Sequence, residues 1–172
     1  MSELQRASVP KSAPTDLDKL EEVLSKYDVW TSAVFAPSWD NKLPLVRELE
    51  WNIPEWKLPG GKSEPGETPQ ETAVREFKEE TGLIILQDRL QLIAYEERDW
   101  YKTSHMFFIF SPPLLSSFEG LRKRGIEGEE VGVFEWNPMS GDFTDLPRSE
   151  FLDTHMRVLQ DFNIFSRHSA AA

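Results

Sequence analysis

Apolar residues recur along the chain with two periods, near 3.6 and 2, and the switches between them divide it into elements. From a cap at Thr15 or Asp16, the residues Leu17, Leu20, Val23 and Leu24 form an i, i+3, i+6, i+7 stripe that Tyr27 extends, which predicts a helix. The run 29–35 reads as a strand and 43–49 as a second, joined by the turn-rich Pro37-Ser38-Trp39-Asp40-Asn41. Pro44 makes the second run a weak or edge strand, because proline cannot donate to a ladder. A short strand at Trp56, Lys57 and Leu58 leads into a loop rich in glycine and proline. The spacing then predicts a helix over 69–81, with Pro69 in its first turn and Gly82 just past its end. Strand patterns return at 90–95, 105–110 and 131–136. A last helix over 148–162 puts Phe151, Leu152, His155, Val158, Leu159 and Phe162 on one broad face. This order predicts an α/β fold, one mixed sheet covered by helices on both faces. Residues 1–15 and 166–172 read as tails around a single domain, 16–165.

Composition narrows the options. The 172 residues, 39% hydrophobic and 28% charged, suffice for one domain with a proper core. No run approaches the roughly 20 apolar residues of a membrane helix. The opening MSELQRASVPKSAPTD lacks the apolar centre of a secretory signal, and with no cysteine in the chain this predicts a cytoplasmic protein. Without cysteine there is no thiolate metal site and no Cys nucleophile, so a metal would need oxygen or imidazole ligands. The net charge of −11 argues against broad nucleic-acid binding, which rests on basic surfaces. A small anionic substrate would need bound cations to bridge it to so acidic a protein.

The chemistry is concentrated at 60–83. Glu76, Glu79 and Glu80 are spaced i, i+3, i+4, so their carboxylates leave one face of the predicted helix. Ala73, Val74 and Phe77 fall on the adjoining side and can anchor that helix to the sheet. Three carboxylates so clustered repel one another, and a divalent cation removes the penalty. Mg²⁺ and Mn²⁺ take carboxylate, carbonyl and water oxygens and bridge readily to phosphates. Arg75 lies one turn from both Glu71 and Glu79 and can reach Glu67, which suits it to orienting a carboxylate. Gly60, Gly61 and Gly66 let the preceding loop approach a ligand closely. Its peptide groups, at Gly61 and Lys62 in particular, can meet a phosphate, or a carbonyl there can meet a cation. A plain solvated helix after a turn is the bland alternative, and the loop glycines, Glu67 and Gly82 in register argue against it.

The run Gly61, five residues, Glu67, seven residues, Arg75-Glu76-Phe77, one residue, Glu79-Glu80, one residue, Gly82-Leu83 resembles the Nudix box from end to end. Phe77, where the family usually has an aliphatic residue, is its one soft departure and bears on packing. The resemblance implies a three-layer α/β/α sandwich and a Mg²⁺- or Mn²⁺-dependent hydrolase acting on a nucleoside diphosphate linked to another moiety. It implies Glu76, Glu79 and Glu80 as metal ligands, with the carbonyl of Gly60, and Arg75 paired with Glu67 to set their geometry. Many members add a later glutamate that binds metal or acts as base. Glu127, Glu129 and Glu130 are the candidates, and Glu130, six residues before Trp136 in a segment resembling the family's late strand, is favoured. Members are often dimers, so a homodimer is a further expectation. A catalytically silent nucleotide-sensing module on the same fold is the competing reading.

Substrate signals are thinner. Trp100 and Tyr101 follow the box by 17 and 18 residues, a distance at which the dinucleoside polyphosphate subgroup carries a base-stacking tyrosine. Nucleotide sugars, ADP-ribose and nucleoside triphosphates are the alternative substrates. Arg122, Lys123 and Arg124 form a basic knot suited to distal phosphates or to plain solvation. Arg47, Trp51 and Trp56 lie just upstream of the loop and are placed to line the approach to the metals, though both tryptophans could equally be core. His105 and His155 read as structural.

Overall fold

Alternating sides of two strands explain the layering. The computed structural model describes residues 21, 22, 24–100 and 103–162. In β1 (Trp30–Val34), continued by Phe35, the side chains of Ala33 and Phe35 enter one core and Val34 the other. In the later strand Thr103–Ser111, Phe107 and Ile109 join the first core, while Met106, Phe108 and Phe110 join the second. Strands buried on both faces read as continuous apolar runs, as 106–110 does.

The remaining strands are β2 (Lys42–Arg47), β3 (Trp56–Lys57), β4 (Gly60–Lys62), β5 (Gln91–Trp100), β6 (the Thr103–Ser111 strand), β7 (Glu130–Asn137) and β8 (Asp142–Phe143). They belong to two four-stranded sheets, not one. The order β4-β1-β6-β5 is mixed, with β1 parallel to β6, and β3-β2-β7-β8 is antiparallel. Pro44 sits mid-strand opposite Val133, yet β3 flanks only Val46 and Arg47, so on that side Pro44 has no ladder partner to lose. The division into two sheets was invisible to periodicity, which reports faces and not neighbours.

Helix α1 (Pro69–Thr81) has the predicted bounds because both ends are specified locally. Thr68 caps it, accepting from the Glu71 N–H at 3.2 Å while Glu71 Oε1 accepts from Thr68 N–H at 3.3 Å. Gly82 ends it at φ 81°, its N–H donating to the Lys78 carbonyl at 2.8 Å. Ala73 and Phe77, both fully buried, seal α1 against Val34, Phe108 and Phe110. Full burial of a side chain such as Phe77 contributes about 1.5–3 kcal/mol. The Ser32 hydroxyl ties the first turn to β1 by donating to the Pro69 carbonyl at 2.8 Å.

Helix α2 (Asp153–Asp161) covers the other core with Met156, Val158 and Leu159. It is shorter than the predicted 148–162. A 3-10 turn at Arg148–Glu150 is followed by extended Phe151, nearly fully buried and bridged to Trp56, and the Leu152 N–H donates to the Trp56 carbonyl at 2.8 Å. Burial of that ring beside β3 outweighs helical continuity. Of the predicted N-terminal helix, Glu21, Glu22 and Leu24 are helical and most of the rest lies outside the described residues, as do both predicted tails and Tyr101. Among the described residues no helix is long and apolar enough to cross a membrane.

Candidate active site

Arg75 is the hub of the segment singled out in the sequence. Its Nε and Nη2 donate to the two oxygens of Glu67 at 2.6 and 3.0 Å, a bidentate pair. Its Nη1 donates to Glu76 at 2.9 Å and to Glu79 at 3.3 Å, and Nη2 also reaches the Lys62 carbonyl at 3.0 Å. Glu67 is held from its other sides by the Glu64 N–H and the Thr72 hydroxyl. The Arg75 guanidinium, with these bonds, pushes the Glu67 carboxyl down to about 2, so it stays ionised at any physiological pH. One guanidinium thereby fixes the loop, Glu67 and two helix carboxylates together.

The third helix carboxylate goes inward. Glu80 is 3% exposed, its Oε1 accepting from the Gly60 N–H at 2.9 Å. Among the described residues its buried Oε2 has no hydrogen-bond partner. Burial pushes this carboxyl up to about 8, with Glu76 and Glu129 adding to the rise and Lys57 and the Gly60 N–H opposing it. Glu129, 8% exposed, also has an unpartnered buried Oε2, and its carboxylate lies against Gly125 and the Glu80 turn of α1. Glu76 is raised too, first by burial and against the pull of Arg75.

The glycines are required by contact. A Cβ at Gly61 would stand 2.5 Å from Glu76 Oε1, and one at Gly60 would collide with the Ser32 carbonyl and Ala33 Cα. Buried carboxylate oxygens without partners are costly unless something compensates them. A hard divalent cation does so, and the all-oxygen donor set fits one. As they stand, no three acidic or imidazole groups among the described residues converge on one cation-sized point. Arg75 and Gly60 hold the carboxylates that the helix spacing brings to one side.

Gly60, Gly61, Glu76, Glu80 and Glu129 line a cavity of about 770 Å³ that runs on across the sheet to Arg98 and Arg157. Several sequence candidates lie off it. Glu130 does not line it: as the first residue of β7 it sits opposite Arg47 on β2, and the two side chains pair at 2.5 and 3.2 Å. That pair also removes Arg47, whose guanidinium lies 4.6 Å over the Trp56 ring. Glu129 and Glu127 are the late-loop acids at the cavity. Arg122, Lys123 and Arg124 lie off it as well. Their loop wraps the end of α1, the Arg122 and Ile126 N–H groups donating to the Thr81 and Glu79 carbonyls at 2.8 and 3.0 Å, where cations complement the helix dipole. Trp56 is core, and Trp51 lines the cavity at 38% exposure. The side chain of Trp100 lies outside the described residues. His155 is buried, stacked on Phe107, and accepts from the Leu58 N–H at 3.2 Å; burial holds it well below the usual histidine range. Lys57, Glu96, Arg98 and Arg157 also line the cavity, and no local pattern in the sequence marks them, because nothing local links β3, β5 and α2.

A glycine loop closed over an acidic helix, carried on this α/β core, defines a class of protein. Residues 29–149 match the NUDIX domain family, and the chain belongs to it. Over 126 residues it is 34% identical to the ADP-ribose pyrophosphatase of Methanocaldococcus jannaschii, covering 72% of this chain and 66% of that protein. Over 80 residues it is 39% identical to a putative 8-oxo-dGTP diphosphatase of Bacillus subtilis, covering 46% and 53%. The chain thus spans between about half and two thirds of the length of the curated relatives it matches. A solved MutT/nudix family protein from Enterococcus faecalis shares the fold, with a TM-score of 0.63 at 16% identity over 91% of this chain and 70% of that one.

Proposed function

We propose that this protein is a divalent-cation-dependent hydrolase of a phosphoanhydride bond in a nucleoside diphosphate linked to a second moiety. The observation that carries the reading is a pair of buried oxygens, unpartnered among the described residues, on Glu80 and Glu129, two acids that line one cavity with Gly60 and Gly61. Glu76, Glu79, Glu80 and Glu129 would hold the metal, with the Gly60 carbonyl a further candidate. Glu129 takes here the place for which the sequence favoured Glu130. A bound Mg²⁺ or Mn²⁺ supplies charge neutralisation and Lewis-acid polarisation of the phosphoryl group.

The chain's own residues do the positioning. Glu67 orients Arg75, and Arg75 orients Glu76 and Glu79. Gly61 and Lys62 line the cavity, where a phosphate would lie, and so does Lys57, whose ammonium is paired with Glu48 at 3.2 Å. A volume of about 770 Å³ suits a nucleotide with an attached group. The two relatives named above differ in the substrate their names give, so the substrate follows from the cavity and not from the box. ADP-ribose, nucleotide sugars, nucleoside triphosphates and dinucleoside polyphosphates form the panel.

The test is product analysis of that panel with Mg²⁺, with Mn²⁺ and with EDTA. Cation-dependent cleavage at a phosphoanhydride of at least one member is expected. Nucleotide binding with no cleavage of any member would show a sensing module instead. Glu129→Gln is expected to lower kcat about 100-fold or more, while Glu130→Gln changes it less than about threefold. The reverse order would return the role to Glu130.

A further inference from the structure

The cavity has a second polar end that the hydrolytic reading does not use. Its floor is one face of the mixed sheet, and the register runs Lys62, Thr31, Phe107, Glu96 from β4 through β1 and β6 to β5. Three interstrand steps of about 4.8 Å put Glu96 roughly 14 Å from the glycine loop. There Glu96 is shared by two arginines. Arg98 donates Nε to Glu96 at 3.1 Å and Nη2 to the Thr154 carbonyl at 3.1 Å, its guanidinium lying 3.8 Å over the Phe107 ring. Arg157 donates Nη2 to both Glu96 oxygens at 2.9 and 3.2 Å.

The donors do not balance. Among the described residues Arg157 Nε is buried without a hydrogen-bond partner. Two guanidinium charges meet one carboxylate, whose oxygens both arginines already occupy. Glu97, the other described acid of β5 that lines the cavity, is exposed, where water screens it. The charge of Arg98 reaches the two histidines of the cavity. His105, opposite Arg98 in the register, is pushed down by burial and then by Arg98 and Lys62, and His155 by burial and then by Arg98 and Lys57. Unpaired, semi-buried guanidinium donors are costly unless an acceptor arrives, and their planar fork matches an oxyanion.

We propose that Arg98 and Arg157, bridged by Glu96, form a distal oxyanion subsite that takes a phosphate carried by the substrate beyond the scissile diphosphate. This rests on the hydrolase reading for the direction of the substrate and names its class: nucleotide derivatives with a remote phosphate.

The experiment compares matched ligands on the full chain. ADP-ribose is paired with 2′-phospho-ADP-ribose, and ADP with adenosine tetraphosphate. Affinities are measured by calorimetry in EDTA, and KM and kcat with Mg²⁺. At least one phosphate-bearing member is expected to bind about tenfold tighter than its pair, with the difference in KM and not in kcat. Arg157→Gln, at a half-exposed position, and Arg98→Gln are each expected to bring that ratio to within about twofold. A mere staple between α2 and β5 would lower the melting temperature of the variants without moving the ratio, and that result overturns the proposal. So does equal binding within both pairs in the unaltered protein. Cleavage of panel members with equal binding sinks the subsite alone. A clear ratio in EDTA without any cleavage sinks the hydrolase reading and leaves the subsite standing.

Discussion

Neighbouring glycines of the loop predict opposite phenotypes from the same substitution. At Gly61 an alanine Cβ would stand 2.5 Å from Glu76 Oε1, about 1 Å inside the 3.4 Å at which ordinary contact begins. The obstructing atom is the end of a flexible side chain, so the conflict is relieved by moving the Glu76 carboxylate by about 1 Å. The fold loses little, because no backbone has to shift and Gly61 does not need a positive φ. The chemistry loses much, since a misplacement of about 1 Å in a positioned catalytic group can cost on the order of 100-fold. Gly60→Ala meets the Ser32 carbonyl and, at 2.6 Å, Ala33 Cα, so β4 must part from β1. Overpacking of that kind typically costs about 1–3 kcal/mol. We therefore expect Gly61→Ala to reduce kcat about 100-fold on the best panel substrate with a melting temperature within about 2 °C of the parent. Gly60→Ala is expected to lower the melting temperature by several degrees. Steady-state kinetics and thermal melts on the same preparations decide it. Gly61→Ala enzyme with more than about a third of parental kcat would refute the assignment of Glu76 to the reacting centre.

Three further outcomes follow from particular contacts. His155 is neutral in the folded state and its ordinary value is 6.5, so the unfolded chain takes up a proton first as pH falls below about 6.5. Stability should then decline by up to about 1.4 kcal/mol per pH unit. Subtracting the urea stability of His155→Gln, which keeps an acceptor for Leu58 N–H, should expose that slope between pH 6.5 and 5; parallel curves would contradict it. Glu67 has the usual carboxylate sign: the stabilisation from its pairing is full above about pH 4.5 and lost as pH falls toward 2, so Glu67→Gln should flatten acid unfolding in that window. Phe151→Ala should cost about 3–5 kcal/mol in chemical denaturation, because its ring pins the break before α2 against Trp56 and Phe143; a loss under 1 kcal/mol would show that the bend has another cause.

What the sequence determined by itself was whatever depends on neighbours in the chain. Helix α1 was legible to the residue because its first-turn proline and terminal glycine are local devices. The Arg75 cluster was legible for the same reason, since i, i+3, i+4 spacing on one helix fixes which carboxylates share a side. Tertiary structure decided everything that needed two distant segments. It split the strands into two sheets, ended the last helix early at Phe151, and turned Glu80 inward while leaving Glu79 half-exposed. Of Glu129 and Glu130 it brought only the first to the cavity, beside Glu127. The two are adjacent in sequence, but strand pairing sets Glu130 against Arg47, 83 residues away, and the turn at Gly125 sets Glu129 against α1. The far end of the cavity was wholly unreadable beforehand. Arg98 and Arg157 look like surface charges until β5 and α2 close over Glu96, and only that closure sets two ordinary arginines on one carboxylate inside a cavity, with Arg157 Nε left unpartnered among the described residues.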